Sequence, residues 1–96
     1  MATNTIDRAT SDTAILSRLL RPEDDNLPVA GAEALLDIRF DSRDLDRMHE
    51  LATKNQDVRL TRGEQSELEN YRRVSFLLDL MHSKARRSLQ KHQAVH

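Results

Sequence analysis

Cysteine is absent from the 96-residue chain, which excludes disulfides, thiolate metal sites and cysteine nucleophiles. The only aromatics are Phe40, Tyr71 and Phe76, too small a platform for a nucleic-acid reader built on base stacking. Two glycines and two prolines are too few for a hairpin-rich β protein. No apolar run approaches the roughly 18 residues of a membrane span. The first twelve residues lack a basic region followed by an apolar one, so no secretory signal is expected. What is present is 38% hydrophobic and 32% charged residues, with 15 Lys+Arg against 16 Asp+Glu. This balance predicts one small, soluble, all-α domain of the cytoplasm.

Residues 1–12 have no apolar face and are expected to form a disordered tail. Ile15, Leu16, Leu19 and Leu20 then recur on one helical face. Asp12 is the expected N-cap of this helix, and Arg21-Pro22 its end. Two turns do not persist alone in water, so the segment must dock on something. A second short helix is expected from Pro28 to about Arg39, burying Leu35, Leu36 and Ile38 with the small face of Ala30, Ala32 and Ala34.

A third helix is expected over about 42–55. Asp41 is its cap, Phe40 staples onto Leu45, and Leu45, Met48, Leu51 and Ala52 form its apolar stripe. Thr61-Arg62-Gly63-Glu64 is a capping box that opens a long final helix over about 62–91. Its seam runs through Leu68, Tyr71, Val74, Leu78, Met81, Ala85 and Leu89 and suits antiparallel packing on the third helix. Phe76, Leu77 and Leu80 fall outside the seam, leaving residues 74–81 apolar on nearly every side. The first two helices or a homodimer must then cover the remainder. The expected organisation is therefore a helical hairpin plus two short N-terminal helices over residues 13–92, with 93–96 frayed.

Charge is uneven along the chain. Residues 1–40 and 41–70 each carry a net charge of −3, and residues 71–96 carry +5. Arg72, Arg73, Lys84, Arg86, Arg87 and Lys91 make a basic helix end, with His82, His92 and His96 nearby. Such an end complements the helix dipole and can pair with the acidic part of the chain, Glu69 with Arg72 or Arg73 included. It can equally contact phosphates or an acidic partner.

Catalytic chemistry has little to stand on. His49-Glu50 opens like a zinc-protease helix, but the position that needs the second histidine holds Thr53. Asp79 and His82 read as a solvated pair one helical turn apart. Gly31 and Gly63 are isolated, so no phosphate loop exists. The run Glu23-Asp24-Asp25-Asn26 lacks the glycine and terminal Glu of a calcium loop. Neither an enzyme nor a cofactor is expected.

From Phe40 to Leu89 the chain resembles a group of short uncharacterised bacterial helical proteins. The matching positions are Asp44, Arg47, Met48, Glu50 and Leu51; Leu60, Thr61 and Glu64; Glu69 and Tyr71; Leu77 and Leu78; and Ser83, Lys84, Ala85, Arg86, Ser88 and Leu89. Gly63 departs from the pattern, where a better helix former is expected. Members are often encoded beside an HNH-type endonuclease, which implies an antitoxin or accessory role. The expectation is thus a helical protein–protein interaction module, with a nuclease as the partner the resemblance implies. Its contact residues would be Tyr71, Ser83, Lys84, Arg86, Arg87 and Leu89, together with Ile15, Leu16, Leu19 and Leu20. The alternative is a small DNA-binding regulator using Arg72, Arg73, Lys84, Arg86, Arg87 and Lys91. No tight glycine turn precedes a short recognition helix, so the helix-turn-helix pattern is missing.

Overall fold

The computed structural model describes residues 11–94. Among them the chain forms four helices and no strand: α1 (Asp12–Leu20), α2 (Val29–Leu36), α3 (Ser42–Asp57) and α4 (Arg62–Ala94). No helix of the described residues is long and apolar enough to cross a membrane. Residues 1–10, most of the expected tail, and residues 95 and 96 lie outside the described residues. Gln93 and Ala94, expected to fray, belong to α4.

The chain divides into two compact units. One is Arg39–Phe76, and the other joins the segment up to Ile38 with the segment from Leu77 onward. The first is the helical hairpin expected from the sequence, but of the expected seam only Leu68, Tyr71 and Val74 belong to it; Leu78, Met81, Ala85 and Leu89 fall in the other unit. Asp41 caps α3, its carboxylate accepting the Asp44 amide at 3.0 Å. The capping box at α4 is complete. Thr61 Oγ1 accepts the Glu64 amide at 3.1 Å, and Glu64 Oε1 accepts the Thr61 amide at 2.9 Å. Two donors left orphaned at the helix start are thereby satisfied. Leu51, Leu60 and Leu68 form the buried core, with Tyr71 packed against it. Leu45 and Val74 share the apolar stripes by spacing but are 51% and 49% exposed. The stripe on each helix is wider than the strip its neighbour covers. Phe40 lies edge-on to Tyr71, with ring centroids 6.1 Å apart.

In the second unit Ala32, Ala85 and Ser88 are fully buried. Small side chains at these positions let the backbones of α2 and α4 pack with little between them. Three expectations need correction here. Ser11, not Asp12, caps α1, its hydroxyl accepting the Ala14 amide at 3.2 Å; Asp12 is the first helical residue. Pro28 is the cap of α2 rather than its first residue. Helix α2 also stops at Leu36, leaving Ile38 exposed beyond its end, with Ala30 and Ala34 exposed as well. Arg21 closes α1 in the left-handed region, φ 50°, and its amide reaches the Ser17 carbonyl. That backbone costs a non-glycine residue roughly 1–2 kcal/mol.

Among the described residues, 74–81 are not covered on all sides. Leu77, Leu78, Leu80 and Met81 are half-buried, while Phe76 is 49% exposed.

Candidate functional site

The unit that carries α1 is held by one face of α4. Lys84, Arg87, Ser88, Lys91 and His92 follow helical spacing and so lie along a single stripe. Lys84 Nζ donates to the Leu20 carbonyl at 2.6 Å and Arg87 Nη2 to the Pro22 carbonyl at 2.5 Å. Ser88 Oγ accepts the Leu27 amide at 3.2 Å. Lys91 Nζ lies 3.4 Å from Asp25 Oδ1, and His92 Nε2 lies 3.0 Å from the Leu27 carbonyl. Further along, His82 Nε2 lies 2.8 Å from the Ile38 carbonyl, just beyond α2. Carbonyls at helix C-termini lack partners within the helix and favour cationic donors. Lys84 at the end of α1 meets that need.

This stripe contains half of the basic residues singled out from the sequence. Lys84, Arg87 and Lys91 are engaged by the chain's own segment 20–27. Arg72 and Arg86 are exposed without an ion pair among the described residues, and Arg73 donates to Asn70 Oδ1. Glu69 forms no ion pair with Arg72 or Arg73 among the described residues. Ser83 and Leu89 are half-buried.

The apolar face of α1 is treated differently. The polar contacts above grip the last residue of the helix and the loop after it. Ile15 and Leu16 remain 41% exposed and Leu19 71% exposed, with only Leu20 of the four half-buried. None of α1's residues is buried. The helix is thus fixed by its C-terminal end while its greasy side stays open.

In the Arg39–Phe76 unit, the tertiary polar contacts run in antiparallel order. Tyr71 donates to Asp44 Oδ1 at 2.8 Å. Arg47 grips Glu67 with two bonds, Nε to Oε2 at 2.7 Å and Nη2 to Oε1 at 2.8 Å, and reaches Glu50 at 2.9 Å. Lys54 Nζ contacts Glu64 Oε2 at 2.6 Å. As position rises along α3 it falls along α4, which fixes the register of the hairpin. The Lys54 contact, and then the Thr61 amide, hold the Glu64 carboxyl at about 2. The Arg47 fork likewise lowers Glu67. The hydrogen bond to Asp44, then burial, raises the Tyr71 hydroxyl.

Both glutamates sit below their ordinary values, so the unfolded chain binds protons first as pH falls. Their contribution is complete above the ordinary carboxyl range and is lost as pH drops from about 4.5 toward 2. Helicity followed by circular dichroism should decline across that window. Glu64→Gln keeps an acceptor for the Thr61 amide but loses the charge facing Lys54. It should lower stability at neutral pH and flatten the acid limb; an unchanged acid limb would exclude Glu64 as its source.

The residues weighed for chemistry do not assemble. His82 spends Nε2 on Ile38, with no hydrogen bond to Asp79 among the described residues. His49 is exposed. His92 serves Leu27, and His96 lies outside the described residues. Among the described residues no three His, Asp or Glu side chains converge as metal ligands. No family model, curated protein or solved structure matches the chain.

The internal contacts of Lys84 and Arg87 could not be read from side-chain patterns, because their acceptors are main-chain carbonyls. Ser88 was readable as a contact position: it lies three residues after Ala85 and continues the spacing of the seam. Its polarity hid it.

Proposed function

We propose that this chain is a non-enzymatic helical interaction module and that the exposed face of α1 docks on a protein partner. The observation that supports this reading is the exposure of Ile15, Leu16 and Leu19 on a helix anchored through its C-terminal end. A nine-residue helix is marginal by itself. Holding it rigidly from behind lowers the ordering cost when its apolar face enters a groove. The role of antitoxin or accessory partner to a small HNH-type endonuclease is the finer proposal. It rests on the resemblance of Phe40–Leu89.

The test is affinity purification of the tagged full chain from its native host, in parallel with a Leu16→Glu/Leu19→Glu variant. Both side chains are exposed, so the double variant should keep its helicity, and its stability within about 1 kcal/mol. A stoichiometric partner bound by the parent chain should be lost, with affinity falling at least tenfold. Full recovery of the partner by the variant rejects α1 as the docking face. A nuclease as that partner supports the finer role.

The nucleic-acid alternative has fewer available groups, because Lys84, Arg87 and Lys91 already serve segment 20–27. It requires binding that weakens steeply with salt.

A further inference from the structure

We propose that the cavity framed by Phe40, Asp44 and Tyr71 is a receptor for an arginine side chain presented by the protein partner. The proposal rests on the interaction-module reading. The cavity has a volume of about 380 Å³ and is lined by Phe40, Asp44, Glu67, Asn70, Tyr71 and Val74, all within the Arg39–Phe76 unit. No member of that lining is a cation.

Two of the chain's three aromatics meet here. Phe40 and Tyr71 stand edge to face at 65°. Aromatic faces attract a guanidinium through the ring quadrupole, and more strongly when water is partly excluded.

Asp44 supplies the directional group. One of its oxygens holds the Tyr71 hydroxyl at 2.8 Å. That bond positions the carboxylate without neutralising it. The side chain is half-buried and has no ion pair among the described residues. Its second oxygen is available to a donor. A charge partly withdrawn from water is stabilised by a cationic donor and penalised by an apolar occupant.

The neighbouring charges favour the same ligand. Glu67 is gripped by Arg47, and Arg47 is shared with Glu50. One cation therefore faces three carboxylates when Asp44 is included. An anionic ligand meets repulsion, while a guanidinium restores the balance. Val74, 49% exposed, provides an apolar wall for the methylene stem of arginine.

The experiment titrates N-acetyl-arginine-amide into the isotope-labelled full chain, followed by amide and aromatic NMR. N-acetyl-norleucine-amide is the uncharged control. Saturable shifts at Phe40, Asp44 and Tyr71 with arginine, and none with norleucine, are expected. Asp44→Asn keeps an acceptor for Tyr71 and should weaken arginine binding about tenfold. Phe40→Leu keeps bulk but removes a ring and should weaken it severalfold. Equal response to both probes, unchanged binding by both variants, or shifts confined to the acidic loop at Asp24 and Asp25 overturn the receptor. The Leu16→Glu/Leu19→Glu purification stands apart from this titration. Failure to find an α1-dependent partner counts against the module. Arginine saturation at Tyr71 in that case still supports a guanidinium site.

Discussion

Leu51→Ala should lower stability by about 3 kcal/mol, because it empties a fully buried position in a very small core. The Arg39–Phe76 unit buries only Leu51, Leu60 and Leu68 among its large apolar side chains. Removing one leaves the other two facing a void that the flanking salt bridges cannot fill. In a chain of this size such a loss lowers the melting temperature by roughly 12–24 °C. Leu45→Ala is the matched control. It lies on the same helix and the same apolar stripe, but its side chain is 51% exposed, so the cost should stay below about 1 kcal/mol. Urea denaturation of both variants decides the point. Equal costs at the two positions would mean that the hairpin core is not where Leu51 places it.

Ala85→Leu should cost about 2–3 kcal/mol for the opposite reason. Ala85 has no accessible surface, and neither does Ala32. A larger side chain here must push the packed segments apart. The damage should spread to the contacts on either side, since Lys84, Arg87 and Ser88 flank the position and hold Leu20, Pro22 and Leu27. Amide exchange across residues 29–36 should accelerate, and tryptic cleavage after Arg18, which is exposed on α1, should speed up. Ala52→Leu, at an exposed position of α3, should do neither. If Ala85→Leu leaves exchange in α2 unchanged, the close packing of this unit is incorrectly placed.

Much of the architecture was legible because local chemistry and periodicity agreed. Asp41 announces α3, and Thr61 with Glu64 announces α4, because each cap is a contact within four residues. The hairpin follows from apolar spacing on both sides of a short connection. What escaped the sequence was of three kinds. The cap of α1 shifted by one residue, from the expected Asp12 to Ser11. Burial was overestimated at Ile38, Leu45 and Val74, since periodicity marks a face without measuring how much of it a neighbour covers. Long-range polar contacts were hidden, because nothing in the linear pattern pairs Arg47 with Glu67 or Lys84 with the Leu20 carbonyl. The same limit applies to the Phe40–Asp44–Tyr71 cavity. Tyr71 was singled out by resemblance, but its carboxylate partner comes from a residue 27 positions earlier.

Segment 20–27 is held largely through its main chain. The carbonyls of Leu20, Pro22 and Leu27 and the amide of Leu27 make most of its hydrogen bonds with α4. These groups are supplied by almost any amino acid, so selection acts on the two sides of the contact unequally. The helix must retain its lysine, arginine, serine and histidine in register, whereas the crossing segment can drift in sequence and keep its place. Over evolutionary time the connection between α1 and α2 can therefore diversify its outward side chains at little cost to folding.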